Sequence, residues 1–482
     1  MKRFFILMMA LCILVASIAS CNGGGSNTET TDTTTTNNVE TQDPELLLFP
    51  NKDLGGEEIN VLMSTEMQQY CYAEEYGVNL ISDAVYESYL AIEEKYNVDF
   101  LLDFESSQGK NTARFNLKIQ NGISAGKAGY DLIMGQMHSV GLALNGCYRN
   151  LAKTEYLNLD ADYYYQSIND SATIEGQLYA VAGAYNMDKV SMSIVCFFNK
   201  SLHESIFSGT EYEDLYDLVE DKKWTYETLD KMTLAVQSEN GDGEWNEQDR
   251  YGLIGVGTGV AALVGSGVVA VTKNADEEYS ISFYNDHLTT VYSAYSNLFA
   301  KDYIKVDGTY DQEVIFTSGN SLFYSSHVNR LGVMNGSVSF KIGVLPFPMY
   351  NEAQNEYRTH VNRSEMIFVP MNADLEISCT IMEYMNYLFL KDVVPAYWDQ
   401  SMTSRFAADP IDAEMLELSR ASVFEDFGIT YTSMLDYFYA AAGQNLMTGV
   451  ELTGWWNGIE STISAKLGGL VTNYKELATL NY

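Results

Sequence analysis

Positive charge is scarce in this chain. Against 65 aspartates and glutamates stand 28 lysines and arginines, a net charge of −37 over 482 residues. Such a surface repels nucleic acid and anionic lipid, and no Lys/Arg-rich tract exists to hold either. Cysteine is sparse too. Beyond the first 21 residues only Cys71, Cys147, Cys196 and Cys379 occur, too widely spaced for a CxxC pair or a zinc ribbon. They read as buried small hydrophobes, with some pairing left open to an exported chain. The five histidines (His138, His203, His287, His327, His360) form no HExxH, and neither a P-loop nor a GxSxG elbow occurs. Gly255-Val256-Gly257-Thr258-Gly259 has the wrong spacing for a dinucleotide fingerprint and reads as a loop after a strand. No pair of carboxylates is singled out for glycoside hydrolysis, which leaves that chemistry open. After the first twenty residues no apolar run approaches the length of a membrane helix.

What is present begins at the N-terminus. Lys2 and Arg3 form a short positive region, Phe4 to Ile18 an apolar one, and Ile18-Ala19-Ser20-Cys21 a lipobox. Residues 1–20 are therefore expected to be a lipoprotein signal peptide, with Cys21 lipidated and the protein held on the outer face of the cell membrane. A plainly secreted protein with an incidental cysteine is the alternative. Residues 21–52 then read as a linker: Gly23-Gly24-Gly25, the run Thr33 to Thr36, and polar or acidic residues offer too little apolar surface to fold. As a coil they span about 30 Å, enough to hold a body clear of a membrane.

The folded part alternates strand and helix. Ile59 to Met63, Val98 to Phe104 and Tyr130 to Met134 read as strands, with helices at Ser82 to Tyr96 and Asn111 to Ser124 between them. This β-α-β-α-β order predicts an α/β fold on a parallel sheet, whose ligands bind beyond the strands' carboxyl ends, at Ser64-Thr65 and Gly135 to His138. Farther on, Val190 to Phe198, Tyr251 to Val256, Ser321 to Tyr324 and Lys341 to Leu345 read as strands. Thr225 reads as an N-cap, and Leu375 to Leu390, Ala413 to Ser422 and Ile459 to Leu480 as helices. No internal repeat is visible.

Two constellations carry chemistry. Residues 238–249 fit a twelve-residue calcium loop, with oxygens from Ser238, Asn240, Asp242, Asn246 and Asp249, the Glu244 carbonyl, and Gly243 at the sharp turn. Serine for the leading aspartate and aspartate for the closing glutamate depart from the pattern. A structural calcium ion is thus the one cofactor candidate, an acidic glycine-containing turn the plainer reading. Aromatics form the other constellation: Tyr185, Tyr324, Trp398, Trp455 and Trp456 are candidate sugar platforms, each of which also suits a core.

Several words in order resemble extracellular solute-binding proteins of ABC importers, the maltose-binding-like family 1. They are Gly129-Tyr130-Asp131-Leu132-Ile133-Met134, Gly176-Gln177-Leu178-Tyr179, Phe197-Phe198-Asn199-Lys200, Trp224-Thr225-Tyr226-Glu227, Asp249-Arg250-Tyr251-Gly252 and Gly343-Val344-Leu345-Pro346-Phe347-Pro348. The resemblance implies a two-lobed, periplasmic-binding-protein-like (type II) α/β fold with an interlobe cleft. It implies an N-terminal lobe of 53–183 and 320–364 and a C-terminal lobe of 188–315 and 367–482, with crossings near 182–188, 316–326 and 362–369. Cleft residues would be Ser64, Thr65, Gln136, His138, Tyr185, Asn186, Tyr324, Asn362 and Arg363, with Trp398 as a further ligand candidate. Gly135 stands where the family often has an aromatic residue. The implied role is capture of a sugar or oligosaccharide by lobe closure and delivery to permease subunits, as a lipid-anchored monomer doing no covalent chemistry and needing no cofactor. A surface glycan-binding lipoprotein and a tethered glycoside hydrolase are the alternatives.

Overall fold

A computed structural model describes residues 44–124, 129–274, 276, 278–306, 310–334, 336–402 and 409–479. The expected signal peptide, Cys21 and most of the expected linker lie outside the described residues. The chain divides into two units, Met1–Pro50 and Asn51–Tyr482. In the first, Pro44–Leu48 is helical, where only linker was expected. Proline at the first helical position, Glu45 in the first turn and three leucines account for it.

The second unit is built on two sheets. The first has the order β9-β3-β1-β2, from β1 (Glu57–Ser64), β2 (Val98–Glu105), β3 (Leu132–Gln136) and β9 (Glu365–Phe368). β1 pairs parallel with β2 and β3, Ile59 facing Phe100 and Val61 facing Leu132, and β9 runs antiparallel to β3. Each residue of β3 is buried, as a central parallel strand requires, whereas β2 at the edge alternates. Helix α1 (Leu80–Tyr96) starts on an Asn79–Ser82 capping box and stops at left-handed Asn97. It buries Ile81, Val85, Tyr89, Ile92 and Tyr96, an apolar stripe at helical spacing.

The second sheet has the order β8-β4-β7-β5-β6, from β4 (Ile194–Asn199), β5 (Tyr251–Gly255), β6 (Ile304–Lys305), β7 (Ser321–His327) and β8 (Ile342–Leu345). β7 runs antiparallel to β4 and parallel to β5. The expected placement of 320–364 in the N-terminal lobe is therefore corrected, because a strand bonded on both edges inside the second sheet belongs to that sheet. The crossing expected at 316–326 is this central strand instead. Conversely, the end of β9 from residue 367 and the helix Leu375–Leu388, expected in the C-terminal lobe, go with the first sheet: β9 pairs with β3 and the helix packs on α1.

Two connections run between the sheets side by side. Ser193 bridges Val361, the Ile194 N–H donates to the His360 carbonyl (2.8 Å), and the Asn362 N–H donates to the Met192 carbonyl (3.1 Å). A helical turn, Asp188–Ser191, occupies the start of the expected 190–198 strand. Thr225 holds the N-cap position, but its hydroxyl makes no cap and lies 3.4 Å from that of Thr228. The C-terminal helix, Leu452–Thr479, begins earlier than its apolar pattern suggested. The four cysteines from Cys71 onward are buried and unpaired.

Candidate functional site

A cleft of about 530 Å³ opens between the lobes. One wall begins where β3 runs out at Gln136. Gln136 is buried and accepts, through Oε1, a hydrogen bond from His138 Nδ1 at 2.9 Å. That bond fixes the tautomer and leaves His138 Nε2 as an acceptor with no partner. Burial pushes the His138 pKa down, so the ring is neutral. Gln108 and Thr112 extend this wall.

The connection into β9 supplies the floor: His360, Asn362, Arg363 and Ser364. Burial, then the charges of His327 and Lys189, drive the His360 pKa down to about 3, and its Nδ1 has no partner. Asn362 Nδ2 lies 2.9 Å from His327 Nε2.

The opposite wall comes from Glu425, Thr430, Thr432, Ser433, Tyr437 and Tyr439. Tyr439 spends its hydroxyl on the Val268 carbonyl (2.8 Å). Tyr437 is about half exposed, and its ring faces His138 across the cleft with centroids 5.7 Å apart. Its backbone and that of Asp436 are left-handed, φ 55° and 54°, a strained conformation for side-chain-bearing residues and one found at binding sites.

Beneath the floor lies a buried charge cluster. Lys189 Nζ, wholly buried, donates to Asp188 Oδ2 (3.0 Å) and to the Arg363 carbonyl (3.3 Å), and sits 3.7 Å from Glu425 Oε1. Burial opposes the ammonium, but Asp188, Glu425 and Glu365 outweigh it and hold Lys189 charged. Asp188 Oδ2 also accepts from the Glu365 N–H (3.0 Å), tying the two connections together. Burial first, and then the charge of Asp188, push the Glu365 carboxyl up to about 8, so it is protonated at neutral pH.

No family model and no curated protein sequence matches the chain. Solved structures do match. The sugar-binding protein MalE from Xanthomonas citri aligns at TM-score 0.58 and 12% identity over 87% of this chain and 99% of that one. A cyclic alpha-maltosyl-1,6-maltose binding protein from Arthrobacter globiformis gives 0.55 and 12%, over 87% and 100%. A family 1 extracellular solute-binding protein from Bifidobacterium longum subsp. infantis gives 0.53 and 14%, over 86% and 100%. The chain has the two-lobed solute-binding fold.

In that fold the expected cleft residues divide. Gln136, His138, Asn362 and Arg363 line the cleft together. Ser64 does not, being fully buried, with its hydroxyl donating to Glu66 and accepting from Ser107. Thr65 is exposed beyond β1, away from the cleft. Tyr185 is core, hydrogen-bonded to the Tyr89 hydroxyl and edge-on to Phe389. Asn186 is buried with its Oδ1 accepting from the Gly183 N–H. Tyr324 is buried within β7, and Trp398 is buried against Tyr397. Of the other aromatic candidates, Trp456 is also core. The missing aromatic at Gly135 has a packing cause: a Cβ there would meet the Phe115 ring at 2.5 Å.

The 238–249 loop lies apart from the cleft, closed by a bridge between Ser238 and Arg250. Asp249 is buried and accepts backbone N–H bonds from Asn240 (2.8 Å) and Asn246 (2.6 Å), one on each oxygen. Asp242 accepts from the Glu244 N–H and the Asn246 amide. Among the described residues no group of three or more His, Cys, Asp or Glu side chains gathers as a metal set.

Sequence reasoning missed Glu425, His360 and Tyr437. Glu425 and Asp426 had a signal, two acids inside the apolar run Val423 to Phe427, which marks buried charge. Tyr437 had none, because nothing in its neighbours announces a left-handed backbone.

Proposed function

We propose that the chain is the substrate receptor of an ABC importer, anchored through Cys21, which captures a carbohydrate between its lobes and presents it to permease subunits. The observation that carries this reading is the origin of the cleft walls. His138 comes from the first lobe and Tyr437 from the second, so a ligand that touches both favours the closed arrangement. The lining supports a hydroxyl-rich ligand: amides, hydroxyls and neutral imidazoles supply paired donors and acceptors, and the Tyr437 ring supplies a face for sugar C–H groups. The names of the structural neighbours point the same way. A binding role is favoured over hydrolysis because Glu425 is the one carboxylate among the described lining residues, and glycosidases flank the bond with two. The protein works in this reading as a single copy without a cofactor.

A thermal-shift screen of the purified protein against mono- and oligosaccharides, with di- and tripeptides as controls, tests the reading. A cognate saccharide at a hundredfold excess over Kd stabilises the protein by about 2.7 kcal/mol. A shift with peptides and none with any saccharide would falsify it.

A further inference from the structure

The cleft of this strongly acidic protein holds a cation with no ion pair of its own among the described residues. Arg363 is the one lysine or arginine among its described lining residues. Four other arginines are matched: Arg114 with Glu105, Arg330 with Glu313, Arg358 with Glu356, Arg420 with Glu417. The Arg363 side chain makes no hydrogen bond and no ion pair among the described residues. Its base is fixed, because its carbonyl accepts from buried Lys189.

Asp188 and Glu365 feel the Arg363 charge from below the floor, but neither carboxyl forms an ion pair with it. Glu425, the carboxylate in the same lining, is answered by Lys189 at 3.7 Å, and its Oε2 accepts from the Ser364 hydroxyl at 3.2 Å. Glu365 is buried below the floor with Oε2 unpartnered, as a neutral carboxyl would be. His360, 7% exposed, and His138 each present a ring nitrogen without a partner. A partly buried, unmatched guanidinium beside unpartnered donors and acceptors is a costly arrangement for an empty protein, and a ligand that completes it recovers that cost.

Resting on the receptor reading above, we propose that the cargo is an anionic saccharide, a uronic-acid-containing oligosaccharide whose carboxylate pairs with Arg363. The charge count selects a monoanion. One unpaired guanidinium, in a lining that also carries Glu425, matches a planar carboxylate in bidentate fashion and leaves a phosphate dianion half uncompensated. The neutral part of the sugar then lies against His138 and Tyr437.

Isothermal titration of the purified protein tests this with oligomers of galacturonate, glucuronate and mannuronate, with maltotriose, and with glucose 6-phosphate. A uronate oligomer is expected to bind at least about tenfold more tightly than maltotriose, with the margin narrowing as salt rises. In Arg363→Gln the ratio of the two affinities should fall toward one, and Arg363→Lys should recover part of it. Maltotriose binding as tightly as every uronate, glucose 6-phosphate binding tightest, or an unchanged ratio in Arg363→Gln each overturns the proposal while leaving a sugar receptor in place. Failure of all saccharides overturns the receptor reading and this inference together.

Discussion

The first-lobe wall of the cleft starts at the end of a buried parallel strand, with Gln136 closing β3 and His138 two residues beyond it. The second-lobe wall starts at no strand end. It is a stretch of turns around one short helix, Phe427–Thr430, running from Phe424 to Tyr437 with a buried acid at one end and two left-handed residues at the other. The second sheet has a parallel strand of its own, β5, followed by the helix Thr258–Gly265. There the helix Phe438–Thr448 lies directly on that segment, so closely that a Cβ on Gly259 would sit 2.1 Å from the Gly443 carbonyl oxygen. With that helix in place, the wall moves to the helix's own start, at Tyr437. One wall therefore follows from sheet topology and the other from local strain and buried charge.

Removing the buried charge should have the largest effect. Lys189→Met leaves Asp188 and Glu425 without their counter-ion in a dry setting, and should cost about 3–5 kcal/mol in urea unfolding. A loss below about 1 kcal/mol would mean that the cluster does not hold the floor and second wall together.

A smaller effect belongs to Glu365. In the folded chain it keeps its proton to about pH 8, whereas in the unfolded chain it ionises near 4.3. Its folded pKa is thus raised, the unfolded state releases a proton that the folded state retains, and stability falls as pH climbs between those values. Glu365→Gln removes this contribution, so the variant should gain on the wild type steadily from about pH 5 to 8 and hold its advantage above that. Parallel stability curves over that range would show that Glu365 is ionised in the fold.

These differences explain what was legible beforehand. The strands β1 to β3 and the helices between them were readable because periodicity and burial agree there, as at Val61, Leu132 and Ile133. Gln136, His138, Asn362 and Arg363 followed from strand ends and from the family resemblance. Tyr185, Tyr324 and Trp398 were misplaced because an aromatic side chain looks the same in sequence whether it fills a core or faces a ligand. The lobe boundary at 320 was misplaced because the pairing of β7 with both β4 and β5 is non-local and leaves no mark in its own residues. Tyr437 was invisible because its exposure depends on a backbone conformation that its side chain disfavours.

The central claim is that one ligand touches both walls at once, and a double-mutant cycle on saccharide affinity tests it most directly. His138→Ala and Tyr437→Ala should each weaken binding by about tenfold. The double variant should lose less than the product of the two, since a ligand freed from one wall gains little from the other. Strictly multiplicative losses, or an affinity indifferent to either substitution, would contradict a site shared between the lobes.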